Sequence, residues 1–300
     1  MLALGLAALG CGTLHAETRI SGPGDYRFSL TQGSETRQYL VHVPPAWRPR
    51  QPLPLVFSLH GGAGNMNLQA NDRYYGQITQ SDRLGYVAVF PNGYSRLRSG
   101  KLATWNAGAC CGAARDEGID DVAFVRAIVQ AVQAQTPIDA SKVFAQGMSN
   151  GGMMAHRLAC DAADVFTAVA SVAGTDNTTS CKPSRPVSVL HIHARDDERV
   201  LFEGGAGQQR RAVTDFTSVP ETLSRWVQRD ACTGKPQRTL DVPGAYCEAY
   251  TNCQGGSRVQ LCVTETGGHS WPGGHKVLGG EAGSTALSAN DVIAGFFFGR

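Results

Sequence analysis

Short apolar runs recur along this chain, separated by segments whose apolar residues follow helical spacing. The apolar runs have the length of strands buried on both faces of a sheet, and they cover 54–59, 85–90, 143–146, 166–172 and 187–193. Helical spacing occurs in four segments, which are 120–132, 147–158, 221–230 and 289–297. Strands that alternate with helices predict an α/β fold, in which a mostly parallel sheet is covered by helices on both faces.

Two further segments predict strands of a different kind. Residues 37–44 alternate like a strand and end at a Pro turn, and 248–266 predict a hairpin around Gly255-Gly256. The least regular stretch, 199–220, is predicted to form a loop over the candidate site described below. No repeat, linker or low-complexity segment divides the chain, so 17–300 are predicted to form a single catalytic domain.

The first sixteen residues contain no Lys, Arg, Asp or Glu and end in Leu14-His15-Ala16, a loose small-residue cleavage site. They predict a signal peptide over 1–16 and export of the protein, although the usual basic segment is missing. Cys11 weakly resembles a lipoprotein attachment site, so anchoring at this residue is a minor alternative, and a buried N-terminal helix is another. No other stretch is long and apolar enough to predict a membrane span.

Composition places the chain among ordinary globular proteins, since 42% of its residues are hydrophobic and 17% are charged. The net charge of +2 gives no reason to expect a nucleic-acid partner or a strongly charged substrate. Removal of 1–16 would leave eight of the nine cysteines, and an even number fits an exported, oxidised protein. No C-x-x-C pair occurs, which argues against metal ligation.

The segment Gly147-Met148-Ser149-Asn150-Gly151 matches the pattern G-x-S-x-G. Chance alone predicts roughly 0.3 such matches in a chain of this composition, so the pattern by itself is weak. It gains weight because it lies between a predicted strand and a predicted helix, where two glycines allow the sharp turn that exposes a nucleophilic serine. Ser149 is therefore the candidate nucleophile, and the alternative is a serine that only caps the helix.

A serine hydroxyl needs a base beside it, and His269 is the best candidate among eight histidines. His269 follows the late hairpin in a glycine-rich loop, where this type of fold places its base; the alternative is a surface histidine. His156 lies two helical turns after Ser149 and should point away from it. His191 and His193 lie in a strand, and a metal site formed with the nearby aspartates is the less favoured interpretation.

The acid that orients the base should lie between serine and histidine in chain order, and Asp196 and Asp197 follow a predicted strand there. An oxyanion hole needs two backbone N–H groups. One should belong to Asn150, the residue after the nucleophile, and the other to the glycine loop that follows the strand 54–59. Gly62 is the best candidate in that loop and Gly61 is the next. A phosphate-binding loop is disfavoured because no Lys and Ser or Thr follow.

Five motifs occur in a familiar order: His60-Gly61-Gly62, Trp105-Asn106-Ala107-Gly108 with Cys110-Cys111-Gly112, Asp120-Asp121-Val122-Ala123-Phe124, Gly147-Met148-Ser149-Asn150-Gly151-Gly152, and Gly268-His269-Ser270-Trp271-Pro272-Gly273. They resemble the poly(3-hydroxybutyrate) depolymerase-like esterases, which overlap with bacterial feruloyl and acetylxylan esterases. The resemblance covers nearly all of the chain after residue 16. It implies an α/β-hydrolase fold, a Ser-Asp-His triad and export.

The resemblance also favours Asp197 over Asp196 as the acid. In the family the acid is followed three residues later by Val or Ala, then by an aromatic residue and two glycines, and Asp197 stands in that register before Val200 and Phe202. However, Ala194-Arg195-Asp196 replaces the Gly-Thr-Ala of many relatives, so Asp196 stays under consideration.

By analogy with the family, Trp105 and Trp271 line the substrate cleft, and core packing is the equal alternative for both. The resemblance also implies a disulfide between Cys160 and Cys181. The other pairings that we expect are Cys232 with Cys253 and Cys247 with Cys262, while Cys110 and Cys111 are either bridged to each other or split.

These residues together predict acyl transfer to water through an acyl-enzyme on Ser149, without a metal or organic cofactor. The expected substrates are short hydroxyalkanoate oligomers or esters of feruloyl or acetyl type. A peptidase or amide hydrolase with the same triad is one alternative. A non-catalytic polymer-binding protein on a hydrolase fold is the other.

Overall fold

A computed structural model describes residues 19–206, 214–275 and 282–299. The predicted signal peptide over 1–16, including Cys11, lies outside these residues, as does the section 207–213 of the predicted loop.

The central feature is a ten-stranded sheet. In chain order the described strands are β1 (Gly24–Gln32), β2 (Glu35–Val43), β3 (Leu53–Leu59), β4 (Val87–Pro91), β5 (Ile138–Met148), β6 (Ala168–Val172), β7 (Ser188–Ala194), β8 (Gly205–Ala206), β9 (Asp215–Phe216), β10 (Gln237–Val242), β11 (Ala245–Tyr250) and β12 (Val259–Thr264). The order across the sheet is β1-β2-β4-β3-β5-β6-β7-β12-β11-β10, and β8 pairs with β9 separately. The six strands from β4 to β12 in that order are mutually parallel, so their carboxyl ends meet at one edge.

Helices cover both faces of the sheet. They are α1 (Met66–Gln69), α2 (Gln77–Leu84), α3 (Gly112–Asp116), α4 (Asp121–Gln133), α5 (Asn150–Asp161), α6 (Val219–Arg229) and α7 (Ala289–Phe298). Apolar residues of α4, α5 and α6 bury one face, and those of α1, α2 and α7 bury the other. Asp120 begins α4 by accepting a hydrogen bond from the Ala123 N–H at 2.9 Å, as expected of an aspartate at that position.

The pattern of apolar residues predicted the parallel strands and their helices correctly, because those strands are buried on both faces. Sequence reasoning missed β1, β10, the helices α1, α2 and α3, and the short strands β8 and β9, which lie within the predicted loop 199–220. The strand β1 alternates between half-buried and exposed positions, and β10 is almost wholly exposed, so neither has a continuous apolar run. The short α1, α2 and α3 carry few apolar residues.

Four cysteine pairs lie within disulfide reach: Cys160 with Cys181, Cys232 with Cys253, Cys247 with Cys262, and Cys110 with Cys111. The Cys247 and Cys262 pair connects β11 to β12, the strand that leads to His269. Within the described ranges, no helix has both the length and the apolar character that crossing a bilayer requires.

Candidate active site

Ser149 lies at the sharp turn between β5 and α5. Its φ of 56° and ψ of −124° are strained for a residue with a side chain, and its N–H holds the turn by donating to Val172 O at 2.8 Å. The Ser149 side chain makes no capping hydrogen bond to the helix, which counts against the interpretation that it serves only as a cap. The hydroxyl is therefore presented at the carboxyl edge of the sheet, at the amino end of α5.

Glycines allow the nucleophile turn to pack against its neighbours without side chains in between. A Cβ on Gly151 would overlap Leu59 O and His60 O, and a Cβ on Gly174 would overlap Ser149 O. A Cβ on Gly61 would lie 3.5 Å from the Ser149 Cβ, so the glycine loop runs directly beside the serine. This close packing of backbone segments explains why glycines, Gly147 and Gly151, stand on both sides of Ser149.

The peptide between Gly61 and Gly62 has a defined orientation. The Gly61 carbonyl accepts hydrogen bonds from His60 Nδ1 at 2.8 Å and from the Gly64 N–H at 3.0 Å. Because the C=O and N–H of a trans peptide point in opposite directions, the Gly62 N–H is turned away from those partners. Among the described residues, neither the Gly62 N–H nor the Asn150 N–H has a hydrogen-bond acceptor, so both remain available to a ligand.

His60 is held in one protonation state. Its Nε2 accepts from the Gly93 N–H at 2.9 Å, which leaves the single ring proton on Nδ1 for the Gly61 carbonyl. Burial lowers the pKa of His60 to about 4, so the ring is neutral at physiological pH. His60 thus stabilises the glycine loop as a neutral donor and acceptor.

The Asn150 side chain connects the nucleophile turn to the glycine loop through Trp105. Its amide accepts from the Trp105 N–H at 2.7 Å and donates to the Trp105 carbonyl at 2.9 Å. The Trp105 indole N–H in turn donates to His60 O at 2.9 Å. Sequence reasoning assigned only the backbone of Asn150 a role and missed this clamp, although the Trp105-Asn106 motif was a signal for it.

Asp197 and His269 meet at the end of β7. The carboxylate Oδ2 of Asp197 lies 2.8 Å from Nδ1 of His269, across 72 positions in sequence. The other oxygen accepts the N–H groups of Arg199 and Val200 at 2.8 and 3.0 Å. Burial would raise the pKa of Asp197, but the nearby imidazole of His193 and the hydrogen bond from His269 outweigh it, so this pKa lies well below its usual range.

The second ring nitrogen of His269, Nε2, is not used in the contact with Asp197. The side chain is 11% exposed, and its Nε2 has no hydrogen-bond partner among the residues that the structure describes. An imidazole whose Nδ1 faces a carboxylate carries its proton there, which leaves Nε2 as the free base.

The neighbouring carboxylate of Asp196 has a different environment. It is exposed, and its two oxygens accept the N–H groups of Gly268 at 2.8 Å and Gly267 at 3.3 Å. Asp196 therefore holds the backbone of the loop that carries His269, while Asp197 contacts the imidazole itself.

Both candidate cleft tryptophans are buried. Trp105 is fully buried, and Trp271 is 3% exposed, with its indole N–H 3.2 Å from Asn290 Oδ1 and its ring edge-on to Tyr75. These surroundings correspond to the alternative of core packing for both residues. A contact of either ring with substrate stays a prediction.

Comparison with known proteins identifies the family. Residues 37–212 match the family model described as esterase PHB depolymerase. The chain is 30% identical over 275 residues to probable feruloyl esterase C of Aspergillus clavatus, covering 89% of this chain and 88% of that protein. It is 29% identical over 242 residues to feruloyl esterase B of Piromyces equi, covering 78% of this chain but only 42% of that protein.

A solved structure agrees in fold. The acetyl xylan esterase from Aspergillus awamori superposes with a TM-score of 0.60 at 14% identity, covering 91% of this chain and 98% of that chain. This similarity confirms the α/β-hydrolase fold that the resemblance implied. The chain therefore belongs to the esterase PHB depolymerase family, and as a member of that family it is a carboxylic ester hydrolase.

Proposed function

We propose that this protein is an exported serine esterase that works through an acyl-enzyme on Ser149. The observation that carries the proposal is the 2.8 Å contact between Asp197 and His269, formed between residues 72 positions apart at the sheet edge where Ser149 lies. A buried carboxylate on Nδ1 of an imidazole is the arrangement that prepares Nε2 to accept a proton.

In the proposed acylation step, Ser149 Oγ attacks the ester carbonyl carbon while His269 Nε2 takes the hydroxyl proton. The tetrahedral intermediate places its negative oxygen between the N–H groups of Gly62 and Asn150. His269 then returns the proton to the leaving alcohol as the bond between the carbonyl carbon and the alcohol oxygen breaks. The acyl group is left on Ser149.

Deacylation repeats the chemistry with water as the nucleophile. His269 Nε2 accepts a proton from water, the resulting hydroxide attacks the acyl carbon, and Ser149 leaves with the proton that His269 carried. Asp197 stays ionised and stabilises the imidazolium in both halves. Its lowered pKa supports this role, because a carboxylate with such a pKa is charged throughout the working range of an esterase.

For the substrate, we propose feruloyl or acetyl esters, with short hydroxyalkanoate oligomers as the next class. The first choice follows the names of the relatives, among which the probable feruloyl esterase C is matched over 88% of its length. The second follows the description of the family model. Export is supported by the four cysteine pairs within disulfide reach.

The test is a panel of esters assayed with the wild-type protein and Ser149→Ala. The panel contains methyl ferulate, acetylated xylan, hydroxybutyrate trimer and p-nitrophenyl acetate, with a matched anilide. We expect Ser149→Ala to lower kcat by about 10⁴-fold or more on every substrate while circular dichroism stays unchanged. Residual activity near that of the wild type would refute the nucleophile, and a preference for the anilide would refute the esterase.

A further inference from the structure

Three buried histidines form a row behind Asp197, on the face of the sheet covered by α5 and α6. His193 and His191 lie on β7 with ring centroids 5.1 Å apart, and His156 of α5 stacks on His191 at 5.7 Å. All three are at most 1% exposed. The mechanism proposed above uses none of them, so their presence beside the acid calls for an explanation.

The hydrogen bonds assign a proton to a particular atom of His193. Its Nε2 lies 2.8 Å from Val200 O, and a carbonyl can only accept, so Nε2 carries the proton. The same Nε2 lies 3.4 Å from Asp197 Oδ2, the oxygen that contacts His269. The proton of Nε2 is therefore donated to Val200 O, and the contact with the carboxylate is an electrostatic one without a hydrogen bond. Val200 connects the two residues, because its own N–H donates to Asp197 Oδ1 at 3.0 Å.

His191 selects this tautomer. Its Nε2 lies 3.0 Å from His193 Nδ1, and an imidazole whose single proton is on Nε2 accepts at Nδ1, so in this tautomer of His193 the donor is His191. Burial, followed by repulsion from the neighbouring imidazoles, lowers the pKa of His191 well below its ordinary value. His191 is thus neutral and can act as a fixed donor.

Few charged groups face this row. At the end of β7, His193 faces Asp197, which in turn contacts His269 of the loop after β12, and Phe202 packs edge-on against the His193 ring. At the far end, His156 lies near Asp176 and Arg229 and accepts the indole N–H of Trp226 at 3.0 Å. His156 forms neither a hydrogen bond nor an ion pair with Asp197, and its Nδ1 contacts Trp226 instead.

We infer that His193 is a positioning residue for the esterase reaction, which fixes the Asp197 carboxylate against His269 and is itself held in the required tautomer by His191. Asp197 Oδ1 accepts two backbone N–H groups, one of them from Val200, and Oδ2 contacts His269 with the His193 ring 3.4 Å away. Loss of the His193 donor releases the Val200 backbone, whose N–H holds the Asp197 carboxylate in its orientation toward the imidazole. This inference rests on the proposed function of the same site.

The experiment compares two replacements of His193 that both carry a side-chain amide but differ in the length of the side chain. His193→Gln places an amide N–H close to the position of Nε2, whereas the amide of His193→Asn is one methylene shorter. We expect His193→Asn to lower kcat on p-nitrophenyl acetate about 30-fold, with KM within about twofold, since the hydrogen bond to Val200 O and the electrostatic contact with Asp197 are both lost. We expect His193→Gln to recover kcat to within about threefold of the wild type.

The matched control is His156→Gln, which changes a histidine of the same row without a contact to Asp197, and its kcat should stay within about threefold of the wild type. Equal kcat for His193→Asn and the wild type overturns the inference, and so does an equal loss in all three variants. If His193→Asn does not fold, ¹⁵N-histidine NMR of the wild-type protein decides, because a proton on Nδ1 instead of Nε2 of His193 also overturns it.

The two proposals fail separately. An active Ser149→Ala protein would refute the proposed function, whatever the His193 variants show. An inactive Ser149→Ala protein together with a fully active His193→Asn protein would refute only the positioning role of His193.

Discussion

Two adjacent aspartates, Asp196 and Asp197, have different contacts and therefore different roles. Asp197 faces the interior after β7 and meets an imidazole, while Asp196 faces outward and accepts two backbone N–H groups of the His269 loop. Both residues are aspartates, and both lie between Ser149 and His269 in the chain. The direction of the side chain at the end of the strand separates their roles.

A pair of isosteric substitutions tests this separation. Asp197→Asn keeps the shape of the side chain but removes the charge that stabilises the imidazolium, so we expect kcat to fall about 10³- to 10⁴-fold. Asp196→Asn keeps acceptor capacity for one N–H group and leaves the imidazole contact intact, so we expect a loss within about tenfold. Steady-state kinetics on p-nitrophenyl acetate measures both, and an equal loss in the two variants would contradict the assignment.

At the scale of elements, the site depends on three segments that approach without side chains between them. The amino end of α5 touches the end of β3 through Gly151, the glycine loop runs beside Ser149, and the Trp105 segment is clamped by Asn150. The strained turn at Ser149 persists because these neighbours hold it.

Gly151→Ala should disrupt this approach. Its Cβ would overlap the backbone oxygens of Leu59 and His60, which cannot rotate away as a side chain could. We expect a loss of about 3 kcal/mol in the free energy of unfolding, together with a loss of activity. Urea denaturation of the oxidised protein is the measurement.

Gly22→Ala serves as the control for this prediction, because a Cβ there would have no neighbour within 4 Å. Its free energy of unfolding should change by at most about 1 kcal/mol. A stable, fully active Gly151→Ala protein would show that α5 and β3 are not packed as described.

At the scale of the whole molecule, burial of neutral histidines makes stability depend on pH. Burial lowers the pKa of both His60 and His156 to about 4, against about 6.5 in an unfolded chain. Between these values the unfolded state binds protons that the folded state does not, so stability rises with pH. Asp197, whose pKa is lowered in the folded state, also stabilises the fold, and its contribution to the free energy of unfolding is present above about pH 4 and is lost as the pH falls further.

We therefore expect the free energy of unfolding to fall as the pH is lowered from about 6.5 to 4, by up to about 3 kcal/mol for each of His60 and His156. Urea denaturation across this range measures the slope. His191, whose pKa burial also lowers, adds to this slope, and His156→Gln removes one of the three protonations and should flatten the slope by up to one proton. A free energy that does not change between these pH values would contradict the burial of both rings.

The sequence alone determined the features that depend on local spacing. Continuous apolar runs required strands buried on both faces, helical spacing required covering helices, and glycines around Ser149 required a sharp turn between β5 and α5. These features are encoded within a few residues of each other, so no distant contact is needed to predict them.

Only the tertiary structure decided what depends on distant contacts. It turned Asp197 rather than Asp196 toward His269, buried Trp105 between Asn150 and His60, and brought His156 next to the strand histidines. The partners in these contacts lie 35 to 72 positions apart in the chain. A motif names the residue types that such contacts need, but the packing of the sheet and its helices determines which atoms meet.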